Sequence, residues 1–337
     1  TGNYEAGVSS ADASDKSAGE LLDAAISAVY PDMAAYPDES LFYDEDGNYD
    51  SEAQYKAYEL WNADRDYQRE QSSDYIDELE GYLLKSIPRY LSDHDGENTV
   101  CSPLNIYMAL GMLAEITDGE TREQILSLTG SESIENLRKV SSALWNANYC
   151  DDGAFKSILA SSIWLSEDTS YNTDTLQNLA DYYYASSFAG EMGSSAFNNT
   201  LHDWINTQTG DLLKDKADGV NFSADTLLGL VTTVYFRAKW QESFSEDMTQ
   251  SGTFHTKTGD SQCEFMNQTI DTLYYTGDGY RAIGKTLDNR AGTMYFILPD
   301  EDTTPEELIL DSDELKEILN GSYPEGINAQ VNLSLPK

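Results

Sequence analysis

Two stretches of the chain place residue types at spacings that chemistry could use. Gly279-Tyr-Arg-Ala-Ile-Gly284-Lys285-Thr286 satisfies the phosphate-loop pattern, in which backbone amides and a lysine hold the phosphates of a nucleotide. That chemistry needs a helix behind the loop, whose dipole and free amides face the anion. Leu287 to Gly292 leaves room only for a turn before the apolar segment Thr293 to Leu298, so the match reads as coincidence. Asp44, Asp46, Asn48 and Asp50 set oxygens at alternate positions, as a calcium loop does. Such a loop wants glycine at its sixth position and a bidentate glutamate at its twelfth, where Tyr49 and Tyr55 stand. Neither a metal nor a cofactor is therefore expected. His94, His202 and His255 are the candidate bases; with no Gly-x-Ser-x-Gly elbow, each reads as structural or solvent-facing, and the chain is not read as an enzyme.

The elements that would position these residues follow from hydrophobic period and punctuation. Ile76, Leu79, Leu83 and Leu84 share a helical face, predicting a helix over 73–91 with Pro88 marking a kink or an end. A short strand is expected over 98–101. Pro103 opens an apolar helix from Leu104 to Ile116, and Thr117 with Glu120 forms a capping box for another. Helices are expected at 131–147, at 173–185 and around Trp204, with a strand from Phe155 to Leu165. Then the character changes. Leu227 to Trp240, Gly252 to Phe265, Asp271 to Tyr275, Tyr280 to Leu287, Thr293 to Leu298 and Val331 to Leu335 read as strands, interrupted by a helix that Thr304, Pro305 and Glu307 begin. Helices first and strands later argue for an α+β fold rather than repeated βαβ units.

Composition narrows the function further. Acidic residues outnumber basic ones 60 to 20, a formal net charge of -40, which excludes nucleic acid as a partner and favours a basic one. Cys101, Cys150 and Cys263 are odd in number and widely spaced, so no disulfide framework is expected. Residues 1–72 are rich in Asp, Glu, Ala, Ser and Tyr and read as an acidic extension, helical near Glu20 to Val29; residues 73–337 read as the globular domain. The opening without Met and the acidic, Tyr-rich start suggest a processed, exported protein at an extracellular or cell-surface location.

Several segments resemble one family in order. Asn98-Thr-Val-Cys-Ser102-Pro103-Leu-Asn105-Ile-Tyr-Met-Ala109-Leu-Gly-Met112-Leu is similar to the serpin stretch built around Ser-Pro, and Gly119 with Thr121 follows as its turn. Phe236-Arg-Ala-Lys-Trp240, followed by Phe244, Thr249, Phe254 and His255, resembles the serpin spacing after the third strand of sheet A. Trp204-Ile205 with Thr209 resembles the family's helix F signature, Leu298-Pro299-Asp300-Glu301 its strand-ending motif and Leu335-Pro336-Lys337 its Leu-Pro-Lys.

The resemblance implies an α+β serpin fold with three β-sheets, and a metastable native form in which a cleaved loop inserts into sheet A. It implies a shutter of Ser102, Pro103, Asn105 and Thr232, and a breach containing Trp240, Phe244, Thr249, Phe254 and His255. Asn105 stands where serine is usual and Thr232 where asparagine is usual, so the shutter network is rewired. His202, near the start of the family's helix F motif, also replaces asparagine. The implied function is trapping of a target serine protease, with a non-inhibitory binding scaffold as the alternative. Only Arg138 and Lys139 are basic in the 131–147 helix, so no heparin-type site is expected. In the family, Leu-Pro-Lys is followed by the reactive loop and further strands, so the fold is expected to be incomplete at Lys337 and to need the C-terminal remainder of the same protein.

Overall fold

The computed structural model describes residues 26–44, 46–71, 76–91, 98–256, 259–310, 313, 316–317 and 326–337. They fall into two compact units, one of residues up to Glu78 together with Leu104–Phe236, the other of Leu79–Pro103 together with Arg237–Lys337.

The first unit begins with a strap. Residues 26–38 form no regular element, where the sequence predicts helix near Glu20 to Val29; the part of that prediction before Ile26 lies outside the described residues. The helix comes later, as α1, Ser51–Gln71. Asp50 starts it by accepting the amides of Glu52 and Ala53 at 3.0 and 2.9 Å. Asp44 turns its carboxylate onto Asn48 and the amide of Asp46, closing a turn under the Tyr43–Tyr49 bridge, so the calcium-like spacing serves the backbone. Among the described residues no group of three or more His, Cys, Asp or Glu could hold a metal, and no helix is long and apolar enough to cross a membrane.

Helix α2, Ile76–Leu91, runs on past Pro88. The proline removes one bond in the last turn only, which a helix end tolerates. Residues 98–101 form no strand, contrary to the sequence prediction, and Val100 is exposed. Helix α3, Pro103–Ile116, is buried at Tyr107, Met108, Gly111, Met112, Ala114 and Glu115. Gly111 is required there, because a Cβ would lie 2.4 Å from the fully buried ring of Tyr183.

Helix α4, Gly119–Thr129, is capped by Asp118 and not by the predicted Thr117, whose hydroxyl donates back to the Leu113 carbonyl of α3. Helices α5 (Ile134–Asn148), α6 (Thr173–Tyr183) and α7 (Ser195–Gln208) start on the side chains of Ser133, Asn172 and Ser194, and α8 is the short turn Lys214–Ala217. They flank a four-stranded sheet. Strand β2, Lys156–Ser166, is buried over nine consecutive residues, as a central strand covered on both faces must be. It pairs with β1 (Cys150–Asp151), runs parallel to β3 (Ala185–Gly190) and pairs with β4 (Leu228–Arg237).

The second unit is a five-stranded sheet ordered β5-β6-β7-β8, with β9 also on β6. The predicted strand 252–265 divides into β5, Gln250–Thr256, and the start of β6, which then absorbs the predicted 271–275 strand and runs Gly259–Gly277. Its length follows from its partners: β5 opposes its first part and β9, Ile327–Pro336, opposes residues 265–274. The Asp278-Gly279 turn, with φ +77° at the glycine, leads into β7, Tyr280–Thr286, and β8 follows at Thr293–Pro299. The phosphate-loop pattern is thus a turn and a strand, followed only by the three-residue 3-10 turn Asp288–Arg290. Helix α9, Pro305–Leu310, begins on the predicted box: Glu307 accepts the Thr304 amide at 2.8 Å and its own amide donates to Thr304 Oγ1 at 3.2 Å.

Candidate functional site

The residues predicted for the shutter lie in both units. Ser102 and Pro103 belong to the second, where the Pro103 carbonyl accepts the Tyr82 hydroxyl at 3.3 Å. Asn105, in the first turn of α3, and Thr232, halfway along β4, belong to the first; both are half-buried. The neighbourhood of β4 is polar at intervals: Ser162 on β2 donates to the Val231 carbonyl at 3.3 Å, and the Ser166 amide to the Leu227 carbonyl at 3.1 Å. Strand β4 is far more open than β2. Val234 is 43% and Phe236 47% exposed, and among the described residues no further strand pairs with β4 beyond β2.

Of the five residues predicted for the breach, the structure gathers two. Trp240 forms a bridge with Leu287, and its ring meets Phe244 edge-on at 6.1 Å and Phe296 at 6.4 Å. Thr249 closes a short helical turn by donating its amide to Glu246. Phe254 and His255 lie on exposed β5, where His255 Nδ1 is 2.7 Å from Asp260 across the hairpin, an exposed pair that contributes little. His202 Nε2 faces the Val220 carbonyl at 2.9 Å; His94 lies outside the described residues.

What the sequence reading missed is the partner of Trp240. Lys285, set aside with the phosphate-loop pattern, is 4% exposed and places its ammonium 5.4 Å from the Trp240 ring and 4.8 Å from that of Phe244. Its Nζ donates to the Glu242 carbonyl at 2.7 Å and to Gln268 Oε1 at 2.6 Å. Strict alternation along β7 was the available signal: Ile283 and Lys285 must share a face, and Ile283 is core. Two polar networks in the first unit were equally hidden. Arg138 is engaged by Glu115, which also accepts Asn178 Nδ2 at 2.9 Å, while Asp152 holds Trp61 and Arg65.

The serpin (serine protease inhibitor) family model matches residues 84–337, three quarters of the chain. This chain belongs to the serpin family. It is 28% identical over 222 residues to Serpin-ZX of Arabidopsis thaliana, covering 63% of this chain and 57% of that protein. To Neuroserpin of Mus musculus it is 28% identical over 211 residues, covering 60% and 49%. The serpin thus spans about half the length of these curated relatives. Among solved structures, the native state of the thermophilic serpin Tengpin superposes with a TM-score of 0.68 at 25% identity, over 78% of this chain and 67% of that one. Arabidopsis AtSerpin1, in its native stressed conformation, does so at 0.65 and 24% identity, over 80% and 70%.

Proposed function

We propose that the intact serpin traps a serine protease as a covalent acyl-enzyme, its cleaved loop inserting as a strand beside β4. The supporting observation is β4 itself: a strand paired on one side, carrying Thr232, Val234 and Phe236 in a half-open row, beside the fully buried β2. An edge that presents free backbone groups and apolar side chains gains both ladder bonds and burial when a strand is added. Ser102, Pro103, Asn105 and Thr232 are small or polar groups able to exchange hydrogen bonds as strands part. Trp240, Phe244, Thr249, Phe254 and His255 are the proposed breach residues, and Trp240 and Phe244 meet edge-on there. The net charge of -40 favours a target with a basic surface and an extracellular or cell-surface setting.

Incubating the intact protein with a panel of serine proteases is expected to yield an SDS-stable complex with at least one. Turnover of the serpin by every protease, with no such complex, would overturn the reading. A non-inhibitory binding scaffold is then favoured by the substitutions at Asn105 and Thr232, and melting separates the two: loop cleavage raises the melting temperature strongly in an inhibitor and little in a scaffold.

A further inference from the structure

Lys285 is an expensive residue to keep. A buried ammonium is normally neutralised by a carboxylate, yet its two hydrogen-bond acceptors, the Glu242 carbonyl and Gln268 Oε1, are both neutral. Among the described residues no carboxylate lies within ion-pair distance of it. Burial pulls its pKa below that of an ordinary lysine, with the field of the Glu242 carboxylate offsetting part of the effect.

Its contacts indicate what it is there for. The segment after β4 is laid along the end of β7: Gln241 donates its amide to the Thr286 carbonyl at 3.1 Å, Asp288 donates to the Lys239 carbonyl at 2.8 Å, and Trp240 bridges Leu287. Beyond Gln241 those ladder bonds stop. There the ammonium takes over, reaching the Glu242 carbonyl and lying over the rings of Trp240 and Phe244, while Gln268 of β6 fixes its direction. Trp240 also rests on Phe296 of β8, so the clasp ties segment 239–244 to three strands.

We infer that Lys285 is a positioning residue: its ammonium clasps Glu242, Trp240 and Phe244 and so fixes the segment leaving β4 against the β6–β7–β8 sheet. Through Trp240 it supports trapping by the intact protein, and this second half rests on the function proposed above.

The test uses the intact protein with Lys285→Met, which keeps the length and apolar stem, and Lys285→Gln, which keeps polarity without charge. The indole N–H signals of Trp61, Trp145, Trp164, Trp204 and Trp240 are followed by NMR, with Trp240→Phe assigning the fifth. Both variants are expected to fold, Lys285→Met melting no lower than the parent at neutral pH, and to move the Trp240 signal while the other four stay. Amide exchange at Gln241 should speed up by roughly tenfold, the equivalent of losing two cation–π contacts. An unmoved Trp240 signal with unchanged exchange at Gln241 overturns the clasp. For the second half, Lys285→Met is expected to shift the outcome with a susceptible protease from trapped complex towards cleaved serpin. An unchanged partition alongside a moved Trp240 overturns that half alone. A parent that never forms a complex overturns the proposed function and the half resting on it, while the NMR arm still decides the clasp.

Discussion

Single atoms govern some of this serpin's behaviour. Cys150 sits buried at the start of β1 beside Asp152; burial, and then the Asp152 carboxylate, push its thiol from the ordinary 9.0 up to about 12. The folded state therefore holds the proton that the unfolded chain gives up above pH 9. The stability linked to this group is complete below pH 9 and is lost as pH rises towards 12, by up to about 1.4 kcal/mol per pH unit. The stability advantage of the parent over Cys150→Ser, measured by urea unfolding, is expected to shrink across that window and to be flat from pH 6 to 8. The pattern of three cysteines identified the residue but not its environment, which comes from burial, from Asp152 two residues on and from the far more distant Arg65. Gly111 makes the same point more sharply. Its place in an apolar helix was legible, but the need for glycine came from Tyr183, 72 positions away, whose ring occupies the space of a Cβ. Gly111→Ala is expected to lower unfolding free energy by about 1–3 kcal/mol, the usual cost of overpacking a core.

At the scale of elements, helix ends and strands were readable where the signal was local. Pro103 and the Thr304–Glu307 box act within one turn, so sequence and structure agree there, while at α4 the neighbouring Asp118 takes the cap from Thr117. Helix α1 was not readable, because its inward face is built from Tyr58, Trp61, Asp64, Arg65 and Gln68 rather than from aliphatic residues. The polar groups of Trp61, Asp64 and Arg65 are met there by partners. Asp152, whose side chain is fully buried, accepts Trp61 Nε1 at 2.8 Å and the amides of Ala154 and Phe155, and lies 3.5 Å from Arg65. The Ala34 amide donates to Asp64 at 2.7 Å, and the Tyr36 amide to the Asp152 carbonyl. Residues 26–71, read from composition as an extension, are thereby part of the first unit. Asp152→Ala removes the carboxylate that accepts the buried Trp61 indole N–H and the amides of Ala154 and Phe155, which costs about 1–3 kcal/mol. Limited proteolysis should then cut within 26–71 well before the rest of the chain; equal protection of parent and variant would contradict this account.

For the whole molecule, charge is the property most directly written in composition. A serpin of net charge -40 that meets a basic protease should associate fast at low salt, with the association rate falling steeply as ionic strength rises, because steering acts over a screening length of about 10 Å at 0.1 M. Stopped-flow association with the susceptible protease at two salt concentrations measures it; a salt-independent rate would show that the acidic surface plays no part in encounter. What the sequence alone determined was the family and the kinds of element, since caps, turn residues and the Ser102-Pro103 and Phe236 to His255 spacings are short-range patterns that survive without a partner in view. What only the tertiary structure decided was which side chains share an environment. Lys285 is the clearest case: seven residues of apparent phosphate loop became a strand, and its charge found two aromatic rings and two neutral oxygens from β6 and from the segment after β4. Burial and neighbour choice depend on chain segments far apart in sequence, and no local pattern encodes the distance between them.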